Sequence, residues 1–331
     1  MERSQLQNTP FADVRWVWMN GRMVEFEKAN VHVLTHALHY GSGLFEGIRC
    51  YETARGPAIF RLPEHMKRLE NSCRVYRMQI PYNREQLTRA VLDVINVNEL
   101  KACYIRPIIF RGFGSPGINP LPLPVEVSIA VWPWGRYLGE DAQEKGVDVC
   151  VSSWRRSSPS TAPAVAKATA NYLNSQLVKI EALTNGYAEG IALDVDGRVS
   201  EGSAENLFMV ADGVIHTPPL SSSILPGITR DAIMTIARDM GLEIKEQSIP
   251  RGLLHTCEEL FFTGTAVEVT PIRSVDRIPV GDGVPGPITK RLMAEFQSLV
   301  KGRVPDRYGW LLPLERREPA EILGQLAETT G

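Results

Sequence analysis

In the stretch SEGSAENLFMVADGVIHTPPLSSSILPGITR, Ser200 to Arg230, two acids stand four residues apart, Glu201 and Glu205, and a turn at Pro226-Gly227 opens a helix at Ile228-Thr229-Arg230. The first turn of a helix holds N–H groups with no partner inside the helix. A threonine hydroxyl beside them makes an anion site suited to a phosphate. Every capped helix starts this way, so the segment gains meaning only from its company. Asp212-Gly213 within it and Asp196-Gly197 just before it are hairpin turns, since both central positions favour positive φ.

Upstream, STAPAVAKATANYLNSQL, Ser160 to Leu177, sets Lys167 among Ala164, Val165, Ala166, Ala168 and Ala170. Surface lysines keep polar neighbours; small apolar ones leave room for another group. Downstream, FFTGTAVEV places Gly264-Thr265-Ala266 in a turn whose backbone N–H groups suit a carboxylate or phosphate. Arg68, on a helix that follows Pro63, is a second candidate phosphate contact, though an exposed helical arginine is the usual case. Each feature alone is weak. A lysine in a small-residue pocket, a carboxylate and a phosphate cradle together are what pyridoxal 5′-phosphate requires.

The rest of the chain excludes other chemistry. Its 331 residues exceed what one core usually organises, and 44% hydrophobic with 22% charged residues is globular composition. A net charge of −2, with no run of like charges, argues against a nucleic-acid or membrane surface. The segment MERSQLQNTPFADVRW has no apolar signal core and no run is long enough to span a bilayer, so a cytoplasmic enzyme is expected. Cys50, Cys73, Cys103, Cys150 and Cys257 form no C-x-x-C pair and read as buried thiols. His32, His36 and His39 could share a helix face, but no acidic partner motif accompanies them and no metal is expected. GFGSPG, Gly112 to Gly117, matches a dinucleotide fingerprint only formally, because Pro116, Pro120, Pro122 and Pro124 forbid the helix that must follow.

Periodicity gives an α+β class in each half. RWVWMNGRMVEF is a hairpin around Asn20-Gly21, and Met66, Leu69, Cys73 and Tyr76 mark an amphipathic helix, followed by a second, REQLTRAVLDVINV. CYIRPIIF, VEVSIAVW and VDVCVSSW read as buried strands; Leu173, Leu177 and Ile180 give a helix stripe, and the strands after it read as a meander without βαβ units. Thr229–Met240 is a further helix, and LEIKEQSI and ELFFTGTAVEVTPI return to strands. We expect an N-terminal domain over 1–136, a linker over 137–146 and a C-terminal domain over 147–331 that carries Lys167.

The motifs HALHYGSGLFEGIRCY, FRLPEHMKRL, YIRPIIF, AKATANYL, SEGSAENLF through LPGITR, and GTAVEVTPIRSVD together resemble the branched-chain amino acid aminotransferases, over about Trp16 to Leu311. These belong to the fold type IV pyridoxal phosphate enzymes, with the two-domain architecture of the D-amino acid aminotransferases. The long signature points to the fold type; the FEGIRCY and YIRP pieces favour the subgroup. The resemblance implies that Lys167 forms the Schiff base and that Glu201 faces the pyridine nitrogen. It further implies that Tyr172 bonds the phenolic oxygen and that Arg68, Leu225, Gly227, Ile228, Thr229, Gly264 and Thr265 hold the rest of the cofactor. Phe45, Gly47, Tyr104, Arg106, Trp134, Tyr137, Thr265 and Ala266 would line the substrate pocket, with Tyr40 supplied by a neighbouring subunit of a homodimer or a larger assembly such as a hexamer. The implied reaction passes an amino group between leucine, isoleucine or valine and 2-oxoglutarate.

Within the fold type a D-amino acid or (R)-amine transaminase, or an aminodeoxychorismate lyase, is the alternative; a metal hydrolase and a non-catalytic cofactor carrier are more distant. Ala168-Thr169-Ala170 and Ala204 stand where the family commonly has glycines or a smaller residue, and the RGFGSPGIN loop also departs from the usual form. Extra methyls there would shift the ring or tighten the pocket.

Overall fold

The computed structural model describes residues 3–135, 138–139 and 141–328. They divide into two compact units. The first contains the described residues up to Gly135, Ala166–Ala170 and those from Val300 onward; the second contains the described part of 136–165 and Asn171–Leu299.

The first unit opens with β1 (Trp16–Met19) and β2 (Arg22–Glu25), which pair antiparallel. Asn20 and Gly21 both adopt positive φ, 48° and 90°, as the two-residue turn demands. The Asn20 side chain also accepts from Val127 N, fixing the hairpin to a later strand. A short helix α1 (His36–Tyr40) leads to β3 (Gly43–Phe45), β4 (Ile48–Thr53) and β5 (Gly56–Phe60). Helix α2 (Leu62–Val75) carries proline in its first turn and buries Met66, Leu69 and Cys73, as the spacing predicts. The same helix also buries His65, Arg68 and Ser72, a polar stripe beside the apolar one.

Helix α3 (Arg84–Val97) starts at a capping box between Asn83 and Gln86, and β6 (Cys103–Arg111) and β7 (Val125–Trp132) follow. Between them, the Gly112–Gly117 segment runs into no helix.

The second unit holds α4 (Ala142–Lys145), β8 (Val147–Arg155), α5 (Asn171–Thr184), β9 (Glu189–Leu193), β10 (Val199–Gly202), β11 (Asn206–Ala211) and β12 (Val214–Thr217). Then come α6 (Ile228–Asp239), β13 (Ile244–Glu246), β14 (Glu259–Gly264), β15 (Glu268–Val275), β16 (Ile278–Pro279) and α7 (Pro287–Val300). The chain closes with β17 (Leu311–Pro313), which pairs with β5 in the first unit's sheet, and α8 (Pro319–Glu328).

Among the described residues, the first sheet has the order β17-β5-β4-β6-β7-β1-β2 with β3 on β6, and the second β10-β9-β8-β15-β14-β11-β12-β13 with β16 on β15.

Three expectations change. The strands after α5 form two hairpins, β9–β10 and β11–β12, that are not neighbours, and β8–β9 and β12–β13 pair parallel across α5 and α6. Helix-linked parallel pairs are therefore present, because local turn signals say nothing about partners far away in the chain. The stripe Leu173, Leu177, Ile180 is not the buried face of α5; Leu173 and Ile180 are 66% and 58% exposed, and Ser175, Val178 and Ala182 are buried instead. Finally, Ala166–Ala170 and the tail group with the N-terminal unit: Ala166 and Ala168 join its core, and Leu44 bridges Ala168.

Candidate active site

In the first unit, Lys167 lies in a segment that runs beside β3. Phe45 N donates to Lys167 O and Lys167 N donates to Ser72 Oγ, both at 3.0 Å, so its backbone is held from β3 and α2. The Lys167 ammonium position lies 5.0 Å from the Phe45 ring centroid. The side chain is half-buried, and its removal from water, followed by the charge of Arg68, lowers its pKa from 10.5 to about 8. The amine is thus partly neutral near physiological pH, as a nucleophile and base must be.

Around it stand Phe45, Tyr104 and Arg106. The Arg106 guanidinium lies over Phe45 at 4.8 Å, Tyr104 at 5.3 Å and Trp132 at 5.6 Å, and its buried Nε has no partner. Tyr104 packs on Trp134 with centroids 4.6 Å apart. Gly47 is required by this packing, since a Cβ there would fall 1.9 Å from the Tyr104 hydroxyl. Tyr40 lies elsewhere in the unit, exposed, and donates to Pro116 O at 2.9 Å. Tyr137 lies outside the described residues.

Arg68 is buried and faces Glu46, a residue the motifs did not single out. Its Nε donates to Oε1 at 2.7 Å and Nη2 to Oε2 at 2.8 Å, a bidentate pair, while His65 Nδ1 lies 2.7 Å from Oε2. Arg68 is therefore not the exposed helical arginine its residue type suggests. The residues that depart from the family pattern have clear structural places. Thr169 Oγ1 donates to Gly41 O and Gly43 O, Ala168 is buried, and a Cβ on Gly41 would lie 2.9 Å from that of Ala170.

In the second unit, Glu201 on β10 is buried in a ready-made frame. Arg156 Nη2 is 3.1 Å from Oε1, while Asn206 Nδ2 and Leu225 N donate to Oε2 at 3.1 and 3.0 Å. Asn206 also donates to Leu225 O, so one amide ties the carboxylate to the loop before α6. Arg156 further donates to Ser175 Oγ, Gly202 O and Ser203 O.

Gly227 is the N-cap of α6 and contributes no side-chain oxygen; a Cβ there would meet Asn206 Oδ1 at 1.9 Å. The helix start at Ile228 and the buried Thr229 is accordingly shaped by glycine for a close approach. Gly264, at the end of β14, lies beside Ala204 O and the Glu205 side chain, and Thr265 and Ala266 follow it half-buried. Glu205 itself is driven well above the carboxylate range by burial and then by the charge of Glu189; its Oε2 accepts from Ala204 N and its buried Oε1 has no partner. Tyr172 sits half-buried in the first turn of α5.

His36 and His39 bond to Ser42 Oγ and Val33 O, while His32 Nδ1 accepts from Leu34 N, and the described residues contain no His/Cys/Asp/Glu group placed to hold a metal. Among the described residues no helix is long and apolar enough to cross a membrane.

In the first unit an amine of lowered proton affinity suits an aldehyde; in the second, a framed carboxylate and a glycine-opened helix start suit a basic ring nitrogen and a phosphate. The comparisons agree. Residues 43–275 match the family model for amino-transferase class IV, and the chain belongs to that family. It is 51% identical over 300 residues to a branched-chain-amino-acid aminotransferase of Salmonella typhimurium, covering 90% of this chain and 97% of that one. The crystal structure of the Escherichia coli branched-chain amino acid aminotransferase superposes with a TM-score of 0.90 at 51% identity, covering 91% of this chain and 100% of that one. A branched-chain amino acid aminotransferase from Thermobaculum terrenum, in its PLP-bound holo-form, superposes at 0.84 with 34% identity, covering 91% of this chain and 98% of that one.

Proposed function

We propose that the protein is a pyridoxal 5′-phosphate-dependent transaminase exchanging the amino group between L-leucine, L-isoleucine or L-valine and 2-oxoglutarate. The observation that carries the substrate reading is Arg106, a half-buried cation walled by Phe45, Tyr104 and Trp132. Such a pocket offers aromatic surface to an aliphatic side chain and a counter-charge to the side-chain carboxylate of glutamate, the two demands of the two half-reactions.

Lys167 would hold the cofactor, and Arg68, Leu225, Gly227, Ile228, Thr229, Gly264 and Thr265 its phosphate end, with Tyr172 on its phenolic oxygen. When bound, the cofactor supplies an electrophilic carbon for the amino group and an electron sink for the charge left on the substrate Cα. The residues do the rest. Glu201 keeps a proton on the pyridine nitrogen, which its frame of Arg156, Asn206 and Leu225 N–H suits by fixing an ionised carboxylate in one orientation. Lys167, with its amine free, would take and return the proton at the substrate Cα. Phe45, Gly47, Tyr104, Trp134, Thr265 and Ala266 would shape the substrate side. Tyr40, exposed on α1, is assigned to the site of a neighbouring subunit, which makes a homodimer the smallest working assembly. A soluble cytoplasmic enzyme is in keeping with this chemistry.

The test is amino transfer from each of L-leucine, L-isoleucine, L-valine, D-alanine and an (R)-amine to 2-oxoglutarate. Turnover with the three branched L-acids supports the proposal, and turnover confined to the D-acid or the amine refutes it.

A further inference from the structure

We propose that Glu46 is a positioning residue of this transamination: it locks the Arg68 guanidinium in one plane and supplies the negative charge that balances the cations around the Lys167 nitrogen. The inference rests on the reading of Lys167 as the cofactor lysine.

Glu46 sits between β3 and β4 with no exposed surface. A carboxylate so placed must be fully paired, and it is: Arg68 takes both oxygens, His65 Nδ1 lies on Oε2, and Gly47 N donates to Oε2 at 3.2 Å. Burial alone would raise its pKa; the charges and hydrogen bonds of Arg68 and His65 outweigh burial and hold it far below the ordinary carboxylate range. Because the carboxylate can only accept, the His65 nitrogen facing it carries the hydrogen. The imidazole is kept toward its neutral form, first by burial. His65 thus adds a donor without adding a cation.

The consequence falls on Lys167. The groups acting on its nitrogen come from three elements. Arg68 on α2 and Arg106 on β6 disfavour its protonated form, whereas Glu46 and the Tyr104 phenol favour it. Glu46 is the one carboxylate among them. Removal from water and then the two arginines lower the proton affinity of this amine, and without Glu46 it would fall further, yet proton shuttling needs a nitrogen that can both take and release a proton. Glu46 reaches the lysine's charge balance through the same contacts that fix Arg68, so cofactor anchoring and proton affinity are set by one side chain.

The test is a pH titration of the visible absorbance of the holoenzyme, which reports protonation of the Lys167 nitrogen linked to the cofactor, together with the rate of cofactor loss on dialysis. In Glu46→Gln the titration midpoint should fall by about one pH unit or more, the effect of removing one neighbouring opposite charge. Glu46→Asp keeps the charge, but its shorter arm cannot reach Arg68 and His65 together. Its midpoint should stay within a few tenths of wild type while cofactor loss speeds up several-fold. An unmoved midpoint in Glu46→Gln overturns the proposal. So does a midpoint shift of a full unit, or unchanged cofactor retention, in Glu46→Asp, which also decides the matter if the glutamine variant fails to fold. If wild type shows no titrating absorbance linked to Lys167, the reading of the lysine fails instead.

Discussion

Arg156 Nη2 and Glu201 Oε1 are 3.1 Å apart, both buried, the arginine just past the end of β8 and the glutamate on β10. The pair makes a separable prediction about structure and chemistry. Arg156→Met would leave Glu201 without its cation and remove the donor to Gly202 O and Ser203 O. Breaking one side of a buried pair costs about 3–5 kcal/mol, which urea unfolding should show. Glu201→Gln should keep the cofactor bound, yet slow the proton-transfer half-reaction on the order of 100-fold, since an amide cannot hold the ring nitrogen protonated.

Arg106→Leu should separate the two half-reactions. The aromatic walls Phe45, Tyr104 and Trp132 remain for leucine, but a glutamate side-chain carboxylate would enter the buried pocket without a counter-charge. Single-turnover kinetics should show a far larger loss with L-glutamate than with L-leucine. Equal losses would mean that Arg106 supports the pocket wall without selecting the acid.

The lowered pKa of Lys167, about 8, gives a pH dependence with a definite sign. A lysine in the unfolded chain titrates near about 10.4, so between roughly 8 and 10.4 the unfolded chain binds a proton that the folded apoenzyme does not. This group therefore adds stability as pH rises through that window and opposes folding below it, where the amine must charge inside the protein. Cofactor capture needs the neutral amine, so the rate of reconstitution of apoenzyme should climb with pH and level off above about 8. Levelling only above about 10 would show an ordinary, solvated lysine.

The sequence made some of this legible and hid the rest for physical reasons. Asn20-Gly21 and the Met66, Leu69, Cys73 stripe are local signals, and each sits where its pattern places it. Glu201 and the Thr229 helix start were readable because acid, turn and helix lie within one stretch. The α5 face was misread because close helix-to-strand packing selects small residues. A Cβ on Gly190 would lie 2.7 Å from Val178 Cγ1, which leaves room for Ser175 and Ala182 and none for leucines. Glu46, His65 and Arg156 were missed because a buried charge is recognised only by its partners. Those of Glu46 lie nineteen and twenty-two residues away. Phe45-x-Gly47 framed Glu46 in the sequence without giving a reason to expect an ion pair there. Arg68 appears in the sequence as one of many helical arginines, and only its bidentate carboxylate sets it apart.

The measurement closest to the central claim is borohydride reduction of the holoenzyme followed by proteolysis and peptide mapping. Among the described lysines, Lys167 combines an amine of lowered proton affinity with the backbone anchors at Phe45 and Ser72, so the pyridoxyl group should be recovered on the peptide containing Ala166-Lys167-Ala168. Recovery on Lys179, which is paired with Glu189, or on Lys290 would contradict the account.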